Sequence, residues 1–207
     1  MQASGIGEPE PDSGADTHGL AIQVRAGDLA RFRELYERVA PSLYAWARVR
    51  SSPGQGFAIE ADDLLQETWT RALEGIANFD DTRASFRSWI FGIAKNVAYE
   101  AWRSKSVTPE GIRGPTPSRA NALDSWPDVQ TSIRSRLARD ESVQRFLEHV
   151  AGFDPVDRML LVHCGMEGSE CSFVATRIGI TADAATKRWQ RLRARLGQQP
   201  FAALLEL

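Results

Sequence analysis

The sequence predicts an all-α fold: two small helical domains joined by a flexible linker, the C-terminal one a helix-turn-helix. Three observations carry that expectation. Apolar residues recur at three- and four-residue spacing in two separate blocks. Between the blocks lies a stretch with Pro109, Gly111, Gly114, Pro115, Pro117 and Pro127, too broken for a helix and too long for a loop inside one compact domain. No segment shows a convincing strand pattern. A composition of 43% hydrophobic and 25% charged residues is that of an ordinary soluble globular protein, so neither block need be disordered.

Residues 1–19, rich in Gly, Pro, Ser and acid, are expected to form a flexible tail. From Asp28 the pattern turns helical through Leu29, Phe32, Leu35, Tyr36 and Val39. Pro41 then restarts or kinks the helix, Leu43, Trp46 and Ala47 extend its apolar face, and "SSPGQG" breaks it. The next helix, "ADDLLQETWTRALEGIANF", places Leu65, Trp69, Ala72 and Ile76 on one face and Asp63, Gln66, Glu67, Thr70 and Glu74 on another. After the polar turn "DDTRAS", the helix "FRSWIFGIAKNVAYEAWR" carries a buried stripe of Phe86, Trp89, Ile90, Ile93, Ala94, Val97 and Ala101. Lys95, Tyr99, Trp102 and Arg103 are left toward solvent or a partner. These elements make a first domain over residues 20–104, followed by the linker at 105–139.

A second domain, residues 140–207, resumes at about Asp140. In "FDPVDRMLLVHCG", Asp154 is the expected N-cap, Pro155 the first helical residue and Gly165 the terminator. Val174, Ala175 and Ile178 then mark a short helix, and Gly179-Ile180-Thr181 forms a turn in which Gly supplies the backbone freedom of a sharp corner. On the last helix Ala182, Ala185, Trp189, Leu192 and Leu196 share one side, while Lys187, Arg191 and Arg195 fall opposite. Such a layout can put its second helix into a DNA major groove. The formal charge is only −2, with Glu8, Glu10, Asp12 and Asp16 loading the N-terminus. Contact with a polyanion therefore has to be a local patch.

Taken together, "ADDLLQETWTRAL", "FRSWIFGIAKNVAYEAWR" and "DPVDRMLLVHCGMEGSECSFVATRIGITADAATKRWQRLRARL" resemble an extracytoplasmic-function sigma factor, the minimal two-domain form of the bacterial promoter-specificity subunit. The resemblance covers about residues 20–104 (the family's region 2) and 140–197 (its region 4). It implies that Asp63, Gln66 and Glu67 dock on core RNA polymerase, where exposed acceptors at one-turn spacing suit arginine on a partner. It also implies that the −10 element is captured and melted by Asn78 and Asp80 in the loop from Asn78 to Ser85, and by Lys95, Asn96, Tyr99, Trp102 and Arg103 on the following helix. Aromatic faces there replace lost base stacking while cations hold phosphates. The −35 element falls to Thr181, Asp183, Ala184, Thr186, Lys187, Arg188 and Arg191. Where the family often has Thr-Val-Lys, this chain has Ala184, Ala185 and Thr186, so −35 specificity does not carry over. Promoter DNA and core polymerase are the implied partners, and the resemblance adds an anti-sigma factor to those to be considered.

No catalytic constellation or cofactor motif is expected. His163, Cys164 and Cys171 match no structural zinc spacing, and Asp62, Asp63 and Glu67 lack the further ligands a metal cluster needs. Two cysteines, no apolar run of membrane-spanning length and a start without a signal peptide's basic and apolar regions point to a reducing, cytoplasmic setting. The rival reading is a ligand-responsive helix-turn-helix regulator, which would bind its operator without polymerase. An enzyme such as a metal-dependent nuclease would instead show metal-dependent turnover.

Overall fold

The computed structural model describes residues 13–28, 30–51, 59–107, 137 and 139–205, and these are helical apart from their connections. In order they form α1 (Ser13–Arg25), α2 (Ala30–Arg50), α3 (Ala61–Gly75), a 3-10 turn (Ile76–Asn78), α4 (Phe86–Val107), α5 (Glu141–Ala151), α6 (Pro155–Leu160), a π-helical extension of α6 (Leu161–Met166), α7 (Cys171–Ile178), α8 (Ala182–Leu196) and a last 3-10 turn (Ala202–Leu204).

The first helix starts inside the stretch expected to be tail. Leu20, Ala21 and Val24 bury one face of α1 at helical spacing, and Thr17 is buried with them, so the packing that holds α1 reaches back past residue 19. Residues 1–12 of the expected tail, the break at 52–58 and linker residues 108–136 lie outside the described residues.

A single uninterrupted helix, α2, contains Pro41, which deprives it of one backbone donor without ending it. From Val39 to Val49 nearly its whole circumference is buried, including Ser42, Tyr44 and Ala45, which lie off the predicted stripe. A helix buried all round needs neighbours on every side. Here α1 and α3 pack on part of it, while α5, the π-helical extension and the last 3-10 turn pack on the rest. The two blocks expected on either side of a linker therefore share one continuous core.

That core is aromatic in the N-terminal block. Tyr36 stacks on Trp69 at 4.5 Å between ring centroids, Phe32 meets Trp69 edge-on at 5.6 Å, and Phe79 meets Phe86 edge-on at 5.7 Å. In the C-terminal block the core is mostly aliphatic: Val143, Leu160, Leu161, Val174, Leu192 and Leu196, with Phe146 and Phe201 added.

Local signals hold where a side chain has a hydrogen bond to make. Asp140 caps α5 by accepting from the Val143 amide, and Asp154 caps α6 by accepting from the amides of Val156 and Asp157. Gly165 does not terminate the helix, contrary to expectation. The chain runs on with wider π-type turns to Met166, and a Cβ on Gly165 would come within 2.6 Å of the Trp189 ring. This glycine serves the close approach of α6 and α8, and the π turn brings Glu167 into the interior.

Candidate nucleic-acid and polymerase interface

Residues Tyr99, Trp102 and Arg103 stand at positions i, i+3 and i+4 near the end of α4, where Phe91, Ala94, Val97 and Ala98 hold the opposite face in the core. Tyr99 is 55% and Trp102 46% exposed, so the stripe that buries the helix leaves the phenol and the indole outside it. Their rings stack on each other at 5.8 Å, and the Arg103 guanidinium lies 5.8 Å from the Tyr99 ring. Asn96 is exposed and Lys95 half-buried on the same helix. Of the stripe predicted for α4, Trp89, Ile93 and Ala101 are only half-buried, while Phe91 and Ala98, unassigned from the sequence, are fully buried. The helix is rolled toward α2, where Phe91 meets Trp46 edge-on at 5.7 Å.

The loop before α4 has its own internal bonding. Asp80 accepts from the Thr82 hydroxyl at 2.6 Å and the Thr82 amide at 3.0 Å, which together hold its carboxyl below the usual carboxylate range. Arg25 of α1 then binds the Asp81 carboxylate at 2.6 Å and the Phe79 carbonyl at 2.8 Å. Asn78 is exposed at the end of its 3-10 turn, and Asp80 is exposed as well while its carboxylate holds Thr82 of the same loop.

On α3, Asp63 and Gln66 are exposed, and Glu67 is half-buried. Glu67 differs from the other two because Arg71 holds it at 2.7 Å and reaches Glu100 of α4 at 2.8 Å. The Arg71 hydrogen bond keeps the Glu100 carboxyl below its ordinary range. Of the three acceptors expected to face a partner, one is thus shared with a tie between helices.

In the C-terminal block the turn between α7 and α8 follows the sequence closely. Gly179 is left-handed at φ 71°, and the Thr181 hydroxyl caps α8 by accepting from the Ala184 amide. Ala185, Leu192 and Leu196 are buried as expected, but Ala182 is exposed. Thr186 returns its hydroxyl to the Ala182 carbonyl at 2.9 Å. Exposed residues along α8 include Asp183, Ala184, Lys187 and Arg191, and Lys187 pairs with Asp183 at 2.8 Å. Arg188, expected among the DNA contacts, is turned inward: its Nε donates to Asp157 at 2.6 Å and its terminal nitrogen bonds Asp154. These carboxylates sit at the start of α6, so Arg188 ties α8 to α6.

Two exposed apolar side chains escaped the sequence reading. Phe173 of α7 is 46% exposed with Arg177 lying 5.6 Å from its ring, and Ile180 in the turn is 37% exposed. The signal was available for Phe173, since it falls beside Val174 and off the face shared by Val174, Ala175 and Ile178. Cys164 and Cys171 lie with their sulfurs 3.1 Å apart, both half-buried, and burial pushes the Cys164 thiol well up. His163 faces Glu167 and Phe173. No group of three or more potential metal ligands clusters among the described residues.

The family model "Sigma-70 region 2" matches residues 35–108, from within α2 through α4. The chain is 27% identical over 164 residues to "ECF RNA polymerase sigma factor SigL" of Mycobacterium tuberculosis, covering 79% of this chain and 85% of that protein. It is 28% identical over 131 residues to SigC of the same species (60% and 70% covered) and 25% over 184 residues to SigD (89% and 84%). Among solved structures, "Structure of CnrH in complex with the cytosolic domain of CnrY" aligns with a TM-score of 0.43 at 23% identity, covering 94% of this chain and 98% of that one. A region 2 match over the block that carries the exposed aromatic pair, and relatives aligned over most of the chain that are themselves sigma factors, make this chain similar to the extracytoplasmic-function sigma factors of RNA polymerase.

Proposed function

We propose that this chain is an extracytoplasmic-function sigma factor acting in transcription initiation, which docks on core RNA polymerase through the exposed face of α3, opens −10 DNA with the outer face of α4, and reads −35 DNA with α8. The observation that supports this reading best is the pair Tyr99 and Trp102, stacked, exposed and flanked by Arg103. Large aromatic side chains clustered at a surface beside a cation are suited to take up unpaired bases by stacking. On α8 the exposed Lys187 and Arg191 supply groove or phosphate contacts, while the exposed Asp63 and Gln66 on α3 are the acceptors offered to polymerase. A regulator that senses a ligand has no comparable use for an aromatic-basic surface on its other domain.

Abortive transcription by the reconstituted holoenzyme, on a matched template and on one with its −10 segment already mismatched, separates the two DNA surfaces. Tyr99→Ala with Trp102→Ala should lose opening, and the pre-melted template should rescue it. Lys187→Ala with Arg191→Ala should lose promoter affinity on both templates. Equal rescue of the two variants would reassign the outer face of α4. Tight operator binding by the isolated chain would favour the ligand-responsive regulator.

A further inference from the structure

The chain contains only two cysteines, and the fold brings them together. Cys164 lies in the π-helical extension of α6, Cys171 opens α7, and their sulfurs stand 3.1 Å apart. Residues 165–170 between them are pinned. The Glu167 amide donates to the Val162 carbonyl at 2.9 Å and the Ser169 amide to the His163 carbonyl at 2.7 Å. The Glu167 carboxylate lies 2.9 Å from His163 Nδ1, accepts from Trp46 Nε1 at 3.0 Å and pairs with Arg50 Nε at 3.5 Å. Gly168 makes the corner at a left-handed φ of 65°. The two sulfurs therefore meet across a turn whose backbone is fixed, and both thiols are half-buried, which leaves them open to a small oxidant.

We propose that Cys164 and Cys171 form a reversible two-electron oxidation site, which takes hydrogen peroxide and closes a disulfide that fixes α7 to the extension of α6 without displacing α8. A disulfide holds its sulfurs at about 2.05 Å, about 1 Å nearer than these stand, so closing it asks for a side-chain adjustment rather than a refolded turn. Cys171 takes the first step, because burial foremost, and then Cys171 beside it, hold the Cys164 thiol protonated. The Cys171 sulfur attacks one peroxide oxygen. Its S–O bond forms as the O–O bond breaks, and the other oxygen leaves as water with the thiol proton. The Cys164 sulfur then displaces the hydroxyl of the resulting sulfenic acid: the S–S bond forms, the S–O bond breaks, and the Cys164 proton leaves in a second water. Two thiols lose two electrons and one peroxide gains them. The second sulfur also stops the oxidation there, where a single cysteine would go on to sulfinic acid.

Contacts that involve neither sulfur hold α8 in place. Arg188 donates to Asp157 at 2.6 Å and bonds Asp154, Arg195 reaches Asp157 at 3.5 Å, and the Trp189 ring lies over Gly165. Lys187 and Arg191 thus keep their exposure when the bond closes. That consequence rests on the sigma-factor reading, in which α8 meets DNA, whereas the oxidation itself does not.

Intact-mass spectrometry of the full chain after exposure to hydrogen peroxide tests the site without polymerase. The wild type should lose about 2 Da and both titratable thiols, and dithiothreitol should restore them. Cys164→Ser should instead gain about 32 Da as Cys171 passes to the sulfinic acid. Cys171→Ser should react most slowly of the three, since only the protonated thiol remains. Circular dichroism checks that the variants are folded, and Cys164→Ala replaces a serine variant that is not. Closure of so short a loop should raise the melting temperature by about 5 °C, toward the lower end of what a disulfide gives. Protein oxidised before assembly with core polymerase should bind promoter DNA as tightly as the reduced form. A wild type that keeps both thiols, links two chains together or over-oxidises as Cys164→Ser does would overturn the site. A lower melting temperature or weaker promoter binding on oxidation would overturn the claim that the bond leaves α8 in place. A reduced wild type that supports no polymerase-dependent transcription would strike the sigma-factor reading and leave the mass result standing.

Discussion

The two blocks build the surfaces proposed to meet nucleic acid in different ways. In the N-terminal block the proposed surface is aromatic: Tyr99 and Trp102 stack on each other outside a core that is itself built of Trp46, Trp69, Phe79, Phe86 and Phe91. The C-terminal block instead offers cations that are largely balanced in place, Lys187 by Asp183, Arg188 by Asp154 and Asp157, and Arg195 by Asp157. Stacking is indifferent to salt, whereas phosphate contacts release counterions and weaken as salt rises. One surface is therefore organised by apolar contact and the other by charge, and changes to each should differ in size as well as in kind.

The largest effect is expected in the aromatic core. Trp69 is 1% exposed and touches Phe32, Tyr36 and Phe86, so Trp69→Ala should cost about 3–5 kcal/mol, as cavities of that size do. Urea denaturation measures it. Because Trp69 Nε1 is buried without a hydrogen-bond partner, Trp69→Phe should recover much of the loss. A loss below about 1 kcal/mol for the alanine variant would mean that the N-terminal block is not held by these rings, and the contrast with the C-terminal block would fall.

An intermediate effect is expected at Asp154, where two capping bonds and the Arg188 pair converge. Asp154→Ala should cost about 1 kcal/mol, the usual value of an N-cap. The Asp157 amide is foremost among the groups that hold the Asp154 carboxyl below its ordinary range. A carboxyl depressed on folding stabilises above its unfolded pKa, and that stabilisation fades as pH falls through the folded value. The wild-type advantage over Asp154→Ala should thus be full at neutral pH and narrow below about pH 4. Thermal melts of both proteins across that range provide the check, and a gap independent of pH would remove the charge from the account.

How far the sequence foretold this depends on what each signal measures. The helix start near Asp140, the cap at Asp154 and the corner at Gly179 were legible because they are local: one side chain and one or two amides decide them, whereas α1, inside the expected tail, was not. The exposure of Tyr99 and Trp102 was legible from periodicity, since α4 has one main buried stripe. The inward turn of Arg188 was not, because Asp157 lies 31 residues away and a helical wheel cannot report a partner on another helix. Nor was the packing of the two blocks. The near-continuous apolar run from Leu43 to Val49 was its trace, but burial all round a helix looks on the page like a strong stripe with noise. Glu167, sandwiched between glycines at 165 and 168, reads as a loop acid. Only the π turn that swings it inward, and Trp46 and Arg50 more than a hundred residues earlier, make it a buried one.

The smallest effect falls on the charge-balanced helix, and it is also the most informative about how α8 meets DNA. Asp183 and Lys187 are both exposed, so Asp183→Asn should alter stability by no more than about 0.5 kcal/mol. Its consequence for promoter binding depends on what the carboxylate does there. As a plain counter-charge, Asp183 occupies Lys187 and repels phosphate near the start of α8; its removal should tighten holoenzyme binding and steepen the salt dependence by about one contact. As a reader of bases, it would accept from a cytosine amino group, and asparagine would weaken binding and relax preference at one position. The rest of α8 favours the first outcome, since its cations are held by carboxylates at two other places where no base could intervene. Titration of holoenzyme onto promoter DNA at several salt concentrations, with the wild type alongside, separates the two. Weaker binding with an unchanged salt slope would move Asp183 from the electrostatic balance of the block to its sequence readout.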